Sequence, residues 1–143
     1  MNQDGRSASL TAPNGQAQQA LLCAARADAF EKLISCLEAH GTGTALGDPI
    51  EVGALRSAVL VHREAARKGH GQGRPAPGGP VALSAVKSMV GHAEAAAGLS
   101  GVIQLALGMA LRAASCIQHV RHVNPLVSGI LAVAGTVSYT HLR

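Results

Sequence analysis

An α/β fold is predicted, on three observations. Helix-favouring stretches alternate with short apolar runs of strand length along a chain of 143 residues. Clusters of Gly, Pro, Asn and Asp punctuate that alternation. Two glycine-flanked histidines, in EAHGTGTALGD at 38–48 and KSMVGHAEAAAG at 87–98, each fall just past a strand candidate, where open α/β sheets place their ligands.

LTAPNG at 10–15 is turn chemistry, and the Ala/Leu/Gln-rich stretch 16–29 after it predicts a helix with Leu21, Leu22 and Ala25 on one face. LISCLEA at 33–39 is an apolar run of strand length that ends at a Gly-Thr-Gly-Thr loop. Asp48, Pro49 and Glu51 then read as a helix start: a capping carboxylate, proline at the first helical position and an acid three residues after the cap. That helix is expected to run to about Ala66. Residues 69–80, GHGQGRPAPGGP, are too rich in Gly and Pro for regular structure and predict an exposed connection. VALSAVKS at 81–88 is the second strand candidate, and 93–113 a long Ala/Gly/Leu helix. Gly98, Gly101 and Gly108 inside it each cost up to about 1 kcal/mol relative to Ala. Close packing of a deeply buried helix against neighbouring backbone would account for them.

Apolar residues make up 48% of the chain but aromatics only 1%, so any core packs small side chains rather than rings. The net charge of +4 does not imply nucleic acid, because Arg63, Arg67, Lys68 and Arg74 cluster without aromatics to stack bases and read as a solvated loop. The three cysteines, Cys23, Cys36 and Cys116, share no disulfide-like or metal-like spacing, which fits a reducing compartment. The N-terminus lacks an apolar signal region, and LSGVIQLALGMAL at 99–111 is too short to span a bilayer, so no membrane is expected. The location is cytoplasmic if no targeting segment lies upstream.

Most histidines beside glycine are structural, and His62, His70, His119, His122 and His141 are read so. His119 and His122 in HVRH lack a third ligand for a metal. His40 and His92 differ in that each abuts a glycine or threonine loop that lets a substrate approach backbone. Two converging imidazoles can hydrogen-bond an oxyanion or move a proton, which points to acyl-transfer or carbonyl chemistry.

NQDGRSASLTAPNG at 2–15, EAHGTGTALGDPIEVGAL at 38–55 and SAVKSMVGHAEAAAGLSGVI at 84–103, in that order, resemble the later part of a β-ketoacyl synthase (ketosynthase) domain of type I polyketide synthases. NPLV at 124–127 resembles the stretch that follows. The resemblance implies the later part of a thiolase-like layered α/β/α/β/α fold, dimeric when complete. It also implies an acyltransferase activity, the decarboxylative Claisen condensation of an acyl thioester with malonyl units on an acyl carrier protein. His40 and His92 match the two family histidines, and Lys87 the lysine beside the second. Thr42 and Thr44 match threonines that hydrogen-bond the phosphopantetheine arm, which the carrier protein brings; no cofactor or metal is implied in the chain itself.

The family nucleophile, a cysteine in an earlier small-residue turn, has no match here. Cys23 and Cys36 are read as structural, as is Cys116, which aligns with a family strand. Residues 1–127 are therefore expected to be a partial ketosynthase domain lacking its nucleophile-bearing part, inactive alone and aggregation-prone because half of a layered core is missing. Residues 128–143 carry no family resemblance. VSYTHL at 137–142 is similar to the translation of a transposon-end sequencing adaptor, and is set aside from fold reasoning. The alternatives are a non-condensing ketosynthase-like scaffold or carrier-binding module, and a fatty-acid synthase condensing domain, which shares both histidine blocks.

Overall fold

The computed structural model describes residues 13–28, 34–62, 81–134 and 137–138. The end of the second helix at Ala66, the basic cluster, the 69–80 connection, His70, His141 and most of the 2–15 block lie outside the described residues.

Helix α1, Gly15–Asp28, starts where the Asn14 side chain accepts the Ala17 N–H at 3.0 Å, a side-chain cap on an otherwise orphan donor. Leu22 and Cys23 turn toward the core, whereas Leu21 is exposed and Ala25 lies on the open side, so the helix is rotated from the face its sequence suggests. Arg26 explains the rotation: its guanidinium donates to the Ala58 carbonyl at 2.6 Å and pins α1 across the next helix.

Strand β1, Cys36–Glu38, leads into helix α2, Gly47–Leu55, which continues as a π-helical turn, Arg56–Leu60. The start of α2 corrects the sequence reading. Leu46, not Asp48, occupies the cap position, and Thr44 satisfies the first donors, its hydroxyl oxygen accepting from Gly47 N–H at 3.1 Å and its carbonyl from Asp48 N–H at 3.3 Å. Pro49 falls within the first turn, where a missing N–H costs nothing.

Strand β2, Val81–Ser84, is half as long as expected. Val86 N–H is taken by the Glu38 carboxylate instead of continuing a ladder, and the chain turns at once into a short helix α3, Lys87–Val90. A 3₁₀ turn, Glu94–Ala96, precedes helix α4, Ala97–Leu111, which ends at Arg112 in the left-handed region (φ 51°) with Ala113 N–H on the Gly108 carbonyl at 3.0 Å. Residues 113–118, including Cys116, form no strand. Helix α5, Pro125–Ala134, and a two-residue strand β3, Val137–Ser138, complete the order. The segment set aside at the sequence level thus contributes the third strand.

The sheet runs β1-β2-β3, all parallel, with Leu37 opposite Leu83 and Val81 opposite Val137. Period-two alternation sorts its faces. Leu37, Val81 and Leu83 face a core completed by Val52, Leu55, Ala58, Val59 and Leu60 from α2 and its π-helical turn, and by Val127 and Leu131 from α5. Leu60 and Val81 are fully buried, each contributing about 1.5–3 kcal/mol. On the other face, Cys36, Glu38 and Ser84 meet α4, and a Cβ on Gly101 would lie 3.3 Å from Glu38 Cγ. The arrangement is helix, sheet, helix: a part of the layered α/β fold anticipated from the sequence.

Close approach accounts for Gly101, and for Gly108, whose Cβ would lie 3.0 Å from the Ala113 carbonyl, but Gly98 faces open space. Helix α4 is not deeply buried. Only Ala97 is buried, and Leu99, Val102, Ile103 and Leu107 are exposed along with Met109 and Leu111, the last two at 74%. One face covers the sheet, and among the described residues no element covers the other. With the preceding turn the helix spans Glu94–Leu111, 18 residues of mean hydropathy 1.4, long and apolar enough to cross a membrane by length and composition only, whereas the apolar run 99–111 by itself is shorter than a span. The exposed apolar face has a direct consequence: the 143-residue chain expressed alone should self-associate and bind an apolar fluorescent dye. Light scattering across a dilution series checks this, and a monodisperse monomer with one sharp thermal transition would count against it.

Candidate functional site

Because β1 and β2 are adjacent and parallel, the loops at their carboxyl ends open on the same side. His40 follows Ala39 off β1, and His92 follows α3 off β2. Their rings meet edge to face, centroids 5.5 Å apart and planes at 87°. The two histidines set apart by sequence are the two that the fold brings together.

Three acids hold this geometry. Glu51, one helical turn into α2, accepts His40 N–H at 2.5 Å on one carboxylate oxygen and Gly41 N–H at 3.0 Å on the other. Asp48 accepts Gly43 N–H at 3.2 Å. Glu38 receives the Ser84 hydroxyl at 2.5 Å and the Val86 N–H, tying the root of one histidine loop to the other. Charge-assisted bonds of this kind are roughly twice as strong as neutral ones. The sequence reading assigned Asp48 and Glu51 to a helix start and gave Glu38 no role. The available signal was an acid before and two acids after a Gly-Thr-Gly-Thr loop whose N–H groups need acceptors.

Gly41 has φ 49°, and a Cβ there would lie 2.9 Å from the Ala85 Cβ, so position 41 requires glycine for both conformation and space. In the second loop Gly91, φ 77°, reverses the chain after α3. Glu94, in the left-handed region at φ 43°, then donates its N–H to His92 Nδ1 at 2.9 Å. An accepting Nδ1 leaves the proton of the neutral ring on Nε2, the nitrogen free for a ligand.

Beside the His92 ring lies an open cavity of about 700 Å³, whose lining takes in Ala39 and Gly41 on either side of His40 but not His40 itself. Thr42, Lys87 and His92 line it; Thr44 does not, and its hydroxyl oxygen is engaged by Gly47. The returning chain after α4 forms the far wall, with His119, Arg121 and His122, the histidines that sequence read as structural. Ser88 fastens that wall, donating to the Ala85 carbonyl at 2.7 Å and accepting Gln118 N–H at 2.9 Å.

No cysteine lines this cavity. Cys36 faces the α4 side of the sheet, where burial pushes its thiol pKa up and the Glu38 carboxylate adds to the rise, outweighing the lowering hydrogen bonds from Ser84 and Leu37. A thiol held protonated is a poor nucleophile, in keeping with a structural residue. Among the described residues no group of three or more His, Cys, Asp or Glu is placed to hold a metal ion.

Residues 1–121 match the family described as Beta-ketoacyl synthase, C-terminal domain. Mycoketide-CoA synthase of Mycobacterium tuberculosis is 47% identical over 111 residues, covering 76% of this chain and 2% of its own length. Phenolphthiocerol synthesis polyketide synthase type I Pks15/1 of Mycobacterium bovis is 43% identical over 138 residues, covering 93% of this chain and 6% of its own. The solved oxazolomycin ketosynthase domain OzmH KS7 of Streptomyces albus JA3453 superposes with a TM-score of 0.75 at 30% identity, over 96% of this chain and 22% of that one. The chain thus spans only a few per cent of the length of these curated relatives.

Proposed function

Since the chain belongs to the β-ketoacyl synthase family and corresponds to the C-terminal domain of polyketide synthase ketosynthases, we propose that it supplies the histidine half of a condensing site within a longer synthase. The observation that carries this reading is the convergence of His40 and His92 at 5.5 Å, from the carboxyl ends of adjacent parallel strands.

The reaction is a decarboxylative Claisen condensation between an acyl thioester on a cysteine outside this chain and a malonyl thioester on an acyl carrier protein. The bond from the malonyl α-carbon to its carboxylate breaks, carbon dioxide leaves, and the electron pair becomes an enolate with charge on the thioester oxygen. His92 Nε2–H, oriented by the Glu94 bond to Nδ1, donates to that oxygen. The enolate carbon then attacks the acyl carbonyl, the cysteine thiolate departs, and a 3-ketoacyl thioester remains on the carrier. His40, edge-on to His92, donates to the same developing charge from the β1 side. Lys87, on the cavity wall with His92, keeps the site in a positive field, which favours the oxyanion over the neutral ground state. Thr42, in the glycine-flanked loop on the cavity wall, hydrogen-bonds the phosphopantetheine arm; Thr44, off that wall, supports the loop by accepting Gly47 N–H.

The test is product formation by the full-length polypeptide that carries this chain, given acyl and malonyl groups on acyl carrier protein. A 3-ketoacyl thioester with one carbon dioxide per condensation is expected. Carrier binding without carbon dioxide release would instead identify a non-condensing, carrier-binding module.

A further inference from the structure

The HVRH stretch at 119–122 has no part in the condensing chemistry, yet the fold brings it to the same cavity. Its placement is firmly set. Gln118 N–H is held by Ser88 at 2.9 Å on one side. On the other, Asn124 reaches the Ala45 carbonyl with its amide at 3.5 Å and accepts Leu126 N–H at 2.9 Å, capping α5. Between these anchors the backbone bends through His119 at φ 61°, a left-handed conformation that a non-glycine residue adopts only under constraint.

The charge balance of the cavity is one-sided. Arg121 and Lys87 are fixed cations on its wall, and His119 and His122 stand beside Arg121. The two carboxylates that line it, Asp48 and Glu51, already accept backbone N–H groups of the His40 loop and are directed at that loop. Among the described residues no carboxylate pairs with Arg121 or Lys87. A concave wall with two cations that no described carboxylate pairs with, and two further imidazole donors, attracts an anion, and a guanidinium fork matches the geometry of a phosphate or carboxylate.

We propose that His119, Arg121 and His122 receive an anionic group of the incoming thioester arm. The inference rests on the condensing reading for the identity of the arm. Two parts of that arm carry the required oxyanion, the phosphate of phosphopantetheine and the free carboxylate of a malonyl unit.

Equilibrium binding to the full-length polypeptide, wild type and Arg121→Gln, distinguishes them with four probes: phosphopantetheine, pantetheine, and the malonyl and acetyl thioesters of N-acetylcysteamine. Arg121 is exposed and without a partner among the described residues, so its replacement leaves the fold in place. The wild type should favour the anionic member of one pair by about tenfold or more, a preference that weakens with added salt and falls to within roughly threefold in R121Q. A preference in the first pair identifies the phosphate, in the second the malonyl carboxylate. Equal affinity within both pairs, or a preference that survives R121Q, overturns the proposal. Pantetheine binding without any charge preference would remove this inference and leave the condensing reading standing, whereas failure of all four probes to bind removes both.

Discussion

His92→Ala in the full-length synthase should lower kcat for condensation by about 10²–10³, the loss that follows removal of one oriented donor from an oxyanion site. The donor is worth that much because it is positioned before the reaction begins. Glu94 N–H holds Nδ1 at 2.9 Å, Gly91 turns the loop toward His40, and no reorganisation is needed when charge develops on the thioester oxygen. His40→Ala should cost a similar factor, and the double variant little more than either single one, since groups that act on one developing charge are non-additive. Acyl loading of the cysteine and carrier binding should persist in all three, because neither step passes through the enolate. The measurement is kcat for carbon dioxide release alongside the extent of acyl loading. Wild-type turnover by both single variants would remove the two histidines from the mechanism.

How far the site was legible depends on whether a feature is local in sequence. The paired strands, the two histidine loops and the helices around them follow from alternation and turn chemistry within short windows, and the parallel pairing of β1 with β2 makes the convergence of His40 with His92 almost unavoidable. Features that depend on chain return were not legible. Nothing in HVRH announces that Ser88, some thirty positions earlier, holds the neighbouring Gln118 and so delivers Arg121 to the cavity. The misplaced start of α2 has a different cause. Asp48 and Thr44 are both competent to satisfy a helix start, and the structure uses Thr44 because Asp48 is drawn back to Gly43 N–H. Helix α4 shows the limit of reading burial from composition, since its apolar and glycine content suits a buried helix while six of its large apolar side chains lie exposed.

Glu51→Gln tests whether the backbone of the first loop, and not only its imidazole, is part of the machinery. Both Glu51 oxygens are occupied, one by His40 N–H and the other by Gly41 N–H. Glutamine keeps the length of the side chain but replaces one acceptor with an NH₂ donor, so one of the two N–H groups faces another donor and the loop loses a charge-assisted bond worth about 1.5–3 kcal/mol. The loop cannot compensate by shifting toward β2, because Gly41 already sits where even a Cβ would come within 2.9 Å of Ala85. His40 should then leave its edge-on position beside His92 in most molecules, and kcat should fall by about ten- to a hundredfold while KM for the carrier-bound substrate changes by less than about threefold. Glu51→Asp should not restore activity, since a shorter side chain cannot span both N–H groups from the same helical position. A fall in kcat as large as that of His40→Ala would mean that Glu51 accounts for the whole placement of that ring, whereas wild-type kcat in E51Q would show that the imidazole is held by something other than the carboxylate clamp.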